Sequence, residues 1–88
     1  VFTPVFTGQF KRDMKRIEKR NKDIKKLKEV MKLLASGEKL DKKHHDHELT
    51  GNYANRRECH IEPDWLLIYK PDQSSIIFER TGTHADLF

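Results

Sequence analysis

This 88-residue chain has a single cysteine, Cys59, and no apolar run longer than the five residues Trp65 to Tyr69. A lone cysteine excludes an internal disulfide, so the fold has no covalent staple. A five-residue run is far short of the roughly 20 residues that span a bilayer, and also short of a signal-peptide core. A membrane protein is therefore not expected, and the reducing cytoplasm is the expected compartment. Hydrophobic residues are also scarce, 35% against 36% charged. Those present cluster, which separates the chain from a disordered composition. This length makes one domain with one small core, hiding roughly 60–65% of the surface that the unfolded chain exposes. The chain opens on Val1 rather than Met, so an initiator is expected ahead of it.

Positive charge is plentiful and unevenly placed. Residues 1–40 hold 12 Lys/Arg and 5 Asp/Glu, a balance of +7, whereas residues 41–88 hold 6 and 9, a balance of −3. Most of the excess lies between Lys11 and Lys32, where the pattern is also helical, so Lys15, Lys19 and Lys26 are expected on a solvent-facing ridge. Such a ridge suits a phosphate backbone. A solvated amphipathic face is the commoner explanation of a basic helix.

The order of elements follows from periodicity. Val1 to Phe6 is β-rich, and Pro4, which has no amide hydrogen, confines it to a sheet edge or strand end. After Thr7 as a cap, Phe10, Met14 and Ile17 recur at helical spacing and predict a helix from Gly8 to Arg20. Asn21 is the expected cap of a second helix carrying Ile24, Leu27, Val30, Met31 and Leu34, with Gly37 as its stop. Residues 38–53 are polar, rich in histidine and without period, which predicts a surface loop long enough to be functional. Three β-type runs follow, Arg56–Ile61, Trp65–Lys70 and Ser75–Arg80, separated by turns at Pro63 and Pro71 that suit antiparallel pairing. The middle run is apolar on both faces, as in a central strand.

Alternation puts Arg56, Glu58 and His60 on one face of the first run and Arg57, Cys59 and Ile61 on the other. The helices are expected over Cys59 and Ile61, leaving His60 on the open face. Arg57 then buries its stem and carries its guanidinium to the rim. Period two places Arg80 with Ile76 and Phe78, an awkward position for a charge. Near these strand ends stand His60, Asp64 and His84, together with two arginines. Histidine and carboxylate move protons and arginine offsets charge on a phosphate, so the set suits metal-free RNA cleavage.

The segments Arg57-Glu-Cys-His-Ile-Glu-Pro-Asp-Trp-Leu-Leu-Ile-Tyr69, Arg80-Thr-Gly-Thr-His-Ala-Asp-Leu-Phe88 and Asp46-His-Glu-Leu-Thr-Gly51 resemble the YafQ group of bacterial toxins, within the RelE/ParE superfamily of toxin–antitoxin systems. The resemblance covers most of the chain. It implies an α+β, RelE-like fold with two N-terminal helices on an antiparallel sheet of about four strands. It also implies a ribosome-dependent mRNA endonuclease that needs no cofactor, acts on ribosome and mRNA, and is neutralised by a cognate antitoxin of the DinJ/RelB-like kind. The matched functional positions are His47, His60, Asp64, Trp65, Arg80, His84 and Phe88; His44 and His45 have no counterpart. The roles that follow are His84 as general acid, Asp64 or His60 as general base, and Arg80 with His47 as stabilisers of transition-state charge. Phe88 and Trp65 would stack on bases, with Arg57 and the Lys15, Lys19 and Lys26 ridge as further substrate contacts.

Plainer explanations exist for each position. Asp64 after Pro63 is a good turn residue, Trp65 at the start of an apolar strand serves equally as core, and His47 in a histidine-rich loop is ordinarily solvated. His44, His45, His47, Cys59 and His60 resemble a zinc ligand set, but Cys59 and His60 are adjacent in a strand and point to opposite faces. A gyrase poison of the same superfamily, or a nucleic-acid-binding module without catalysis, are the alternative functions.

Overall fold

The computed structural model describes residues 1–88. In chain order its elements are β1 (Thr3–Phe6), α1 (Gly8–Lys19), α2 (Ile24–Ala35), β2 (His47–Glu48), β3 (Arg57–Glu62), β4 (Trp65–Pro71), β5 (Ser75–Gly82) and α3 (His84–Leu87). Thr7 starts α1 by accepting the Phe10 amide on its hydroxyl at 3.0 Å. The cap of α2 is Asp23, which accepts the Lys25 amide at 3.1 Å, and not Asn21. Asn21 instead adopts a left-handed φ of 59° and closes the turn after α1, a conformation that asparagine tolerates better than most residues. Gly37 ends the α2 segment at φ 82°, as its position predicts.

The strands form one sheet in the order β1-β5-β4-β3-β2. β1 runs parallel to β5 and the other pairings are antiparallel, so the sheet is mixed and has five strands rather than about four. The fifth, β2, comes from the histidine-rich segment expected as loop; its two residues are too few to show a period. Pro4 lies on the outer edge strand, where its missing amide leaves no gap in a ladder.

α1 and α2 cover one face. Phe10, Ile17, Leu27 and Val30 meet Cys59, Trp65, Leu67 and Phe78 there, and burying each of the larger side chains contributes about 1.5–3 kcal/mol. On the opposite face Leu66 and Ile68 are shielded by Leu87 of α3, with Leu49 and Tyr53 at the margin. That second, smaller cluster explains why β4 is apolar on both sides.

The register of β5 breaks once. Ile68 faces Arg80 while Tyr69 faces Phe78, so Glu79 is an extra residue, a β-bulge. Phe78 stays in the core and Arg80 moves to the open face. Its expected alignment with Ile76 and Phe78 is thereby corrected, and the conflict of a charge among core residues disappears.

Candidate active site

The open face is organised in rows running across the strands. One row is His60, Leu66 and Gly82; the next is His47, Glu58, Ile68 and Arg80. Strand spacing of about 4.8 Å puts the backbones of His47 and Arg80 roughly 14 Å apart, at the two ends of their row. His60 leads instead to the turn carrying Asp64 and to α3 carrying His84.

These three residues meet. Asp64 Oδ1 accepts the His84 backbone amide at 3.0 Å and lies 2.6 Å from His84 Nδ1. The backbone amide and then the ring of His84 hold the Asp64 carboxyl below the ordinary aspartate range. The His60 and His84 rings are 5.9 Å apart, and His60 Nδ1 faces the Pro63 carbonyl at 3.3 Å. With both Nδ1 atoms turned to acceptors, the Nε2 atoms are left for substrate.

α3 owes its position to its first turn. Thr83 and Asp86 form a reciprocal capping box, and Arg20 grips Asp86 with two hydrogen bonds of 2.6 and 3.1 Å. Arg20 above all keeps the Asp86 carboxyl far below its usual range. Gly82 fits beneath because it lacks a side chain, since a Cβ there would lie 2.8 Å from Asp86 Oδ2.

Arg80 is anchored by Asp13 of α1, with Nε to Oδ2 at 2.7 Å and Nη2 to Oδ1 at 3.3 Å. His47 Nε2 lies 3.0 Å from Glu58 Oε2, and its Nδ1 lies 2.7 Å from the His45 carbonyl. Both ring nitrogens therefore face acceptors. The other Glu58 oxygen is buried without a hydrogen-bond partner. Phe88 is exposed and meets Tyr53 edge to face at 5.6 Å.

Two expected substrate contacts are corrected. Trp65 is fully buried, donating its indole hydrogen to Thr81 Oγ1 at 3.0 Å; it belongs to the core and is unavailable to stack on a base. Arg57 reaches the rim but on the helix side of β3, where Asp46 and Glu48 hold it at 3.3 and 3.6 Å, away from the open face. Lys26 is exposed but paired with Glu62 at 2.9 Å, whereas Lys15 and Lys19 are exposed on α1 with no carboxylate partner.

Sequence reasoning missed His45, Asp13, Glu58 and Tyr53. His45 packs on the His60 ring at 5.5 Å from a left-handed backbone position, which no spacing rule would find. Asp13 did leave a signal, as a carboxylate on the apolar stripe between Phe10 and Ile17. His44, His45 and His60 line a groove of about 600 Å³ between α2 and β3. Cys59 points to the helix layer, its thiol pKa raised by burial above all. No three His, Cys, Asp or Glu side chains converge as ligands for one ion.

The fold and this cluster define a class: small α+β proteins in which two helices back a mixed sheet, imidazole and carboxylate groups gather at the exposed sheet end, and an arginine stands on the adjacent row. The profile of the YafQ family, described as bacterial toxins of type II toxin–antitoxin systems, matches residues 2–88. The chain is 46% identical over 84 residues to the mRNA interferase toxin YafQ of Escherichia coli, covering 94% of this chain and 91% of that one. The crystal structure of Escherichia coli YafQ superposes with a TM-score of 0.95 at 43% identity, over 100% of this chain and 99% of the other. YafQ in the Escherichia coli DinJ–YafQ complex gives 0.93 at 44% identity, again over 100% and 99%. The chain belongs to the YafQ family of type II toxin–antitoxin toxins.

Proposed function

We propose that this toxin is a ribosome-dependent mRNA endonuclease that cleaves by metal-independent acid–base catalysis. The observation that carries the reading is the His60–His84–Asp64 cluster, with two imidazole rings 5.9 Å apart and one oriented by a carboxylate. Relatives that are mRNA interferases support it.

His60 Nε2 takes the proton of a ribose 2′-hydroxyl, whose oxygen attacks the adjacent phosphorus. The P–O5′ bond breaks, and the protonated His84 ring delivers its Nε2 proton to the departing 5′-oxygen. The products are a 2′,3′-cyclic phosphate and a free 5′-hydroxyl. Positioned acid and base groups of this kind each contribute about 10²–10⁴-fold. Arg80 stabilises the charge that builds on the phosphorane, with His47 at the far end of the row as the second stabiliser. Asp64 orients His84. Phe88, exposed against Tyr53, stacks on a base next to the scissile bond, a contact of about 1–3 kcal/mol. A cognate antitoxin silences the protein, and the existence of the DinJ–YafQ complex in Escherichia coli supports such a partner.

The test is to map cut sites on a defined mRNA, with and without translating ribosomes, for the parent and for His84→Ala. In-frame cuts only on ribosomes, reduced at least 100-fold by the substitution, is the expected result. No cutting by the parent under either condition would move the reading to a gyrase poison or a binding module.

A further inference from the structure

Asp13 is a carboxylate with no access to solvent, set on the core-facing stripe of α1 between Phe10 and Ile17. An ionised group in such a place is costly unless fully bonded, and it is fully bonded. It accepts from Arg80 Nε and Nη2, from the Thr81 amide at 3.2 Å and from Gln9 Nε2 at 3.2 Å. The Thr81 contact has a topological cause. β1 pairs with β5 only as far as Phe78, so beyond the bulge the β5 edge has no neighbouring strand. Asp13 takes the place of that strand, just as Thr7 does for the Glu79 carbonyl at 3.0 Å.

We infer that Asp13 is a positioning residue for the cleavage reaction, fixing through one carboxylate both the backbone that carries Arg80 and the orientation of its guanidinium. The inference rests on the nuclease reading above and on the role of Arg80 within it. A free arginine side chain would have to be ordered in each turnover, whereas Asp13 orders it in advance. It does so on the Nε/Nη2 edge and leaves Nη1 uncommitted to any carboxylate. The anion also lowers the net charge near the phosphate. Through-space electrostatics alone therefore makes Asp13 unhelpful, and removing it would leave cleavage unchanged or faster. Positioning has the opposite sign.

The experiment is single-turnover cleavage on programmed ribosomes at varied ribosome concentration, for the parent, Asp13→Asn, Arg80→Ala and the double variant, with thermal melting of each. Asp13→Asn is expected to lower the rate at saturation on the order of 10–100-fold, leaving the half-saturating concentration within about twofold, because Asp13 does not touch substrate. The double variant is expected to be no slower than Arg80→Ala, since Asp13 acts through Arg80. A rate for Asp13→Asn equal to or above the parent's, or losses that multiply in the double variant, overturns the inference. Should Asp13→Asn fail to melt cooperatively, the parent itself decides: a slowly exchanging, well-dispersed Arg80 Nε–H resonance supports positioning, and rapid exchange overturns it. An Arg80→Ala protein as active as the parent overturns it while leaving the nuclease reading standing, whereas a parent that does not cut removes that reading first.

Discussion

Asp64 accepts two hydrogen bonds from the same residue, the backbone amide and the ring of His84, and both stabilise its ionised form. A carboxyl held below the ordinary range is a weak base, which favours His60 for proton abstraction and gives Asp64 an orienting task. Asp64→Asn keeps an oxygen for the amide and ring hydrogens, so it should lower the cleavage rate about tenfold, less than the 10²–10⁴-fold typical of removing an acid or base group such as His60. Single-turnover rates for Asp64→Asn and His60→Ala check the order; a larger loss in Asp64→Asn would return the base role to the carboxylate. The pH profile gives a second reading. An imidazole base places the ascending limb near pH 6–7, and a carboxylate base places it two or more units lower.

His84 is aimed by the short element that carries it, so in α3 the proposed general acid and the stability of the fold meet. Gly82 sits against Asp86 with no room for a Cβ. Gly82→Ala should displace α3, abolishing cleavage while the helix-side core still melts cooperatively; retained cleavage would show that the turn yields without moving His84. Asp86→Ala removes both the Arg20 pair and half of the capping box, and loss of about 1 kcal/mol lowers Tm by about 4–8 °C in a domain this size. The folded pKa of Asp86 lies below its unfolded value. The contribution is therefore present above the ordinary aspartate value of about 3.9 and is lost as pH falls through the lower folded value. The Tm gap between the parent and Asp86→Ala should be constant from pH 7 to about pH 5 and shrink at more acid pH. α1, α2 and the three long strands were legible in the sequence because their periods span several residues. β2 is too short to show one, and the parallel pairing of β1 with β5 is a non-local choice that edge character alone does not specify. The bulge at Glu79 changes the face of Arg80 without leaving a local motif. His60, Asp64 and His84 were legible as a set; that Trp65 is core and Arg57 turns away became visible only when Thr81, Asp46 and Glu48 supplied their partners.

Across the molecule, the basic helices back one side of the sheet and the histidine cluster lies at its open face, with Arg20 at the end of α1 reaching Asp86 of α3 between them. Within the helical layer the lysines are unequal. Lys22 and Lys26 share Glu62, whose carboxyl they hold below its usual range, so their charge is largely answered within the protein. Lys15 and Lys19, one turn apart on α1, are exposed and free of carboxylates, which makes them available to a phosphate backbone that docks on this layer. Each cation that neutralises a phosphate releases counterions, so binding falls with salt in proportion to the number of such contacts. Lys15→Glu with Lys19→Glu should weaken ribosome affinity about tenfold or more at low salt and flatten log K against log salt by about one unit per lost contact. Cleavage at saturating ribosomes should stay within about twofold, because neither lysine is bonded to His60, Asp64 or His84 and only docking is touched. Lys26→Glu alone should change the salt slope little, since Lys26 already spends its charge on Glu62. Binding measured from about 50 to 200 mM salt separates the cases. A slope unaltered by the α1 pair would place the docking surface elsewhere, and a slope altered equally by Lys26→Glu would mean that Glu62 releases its lysines on the ribosome.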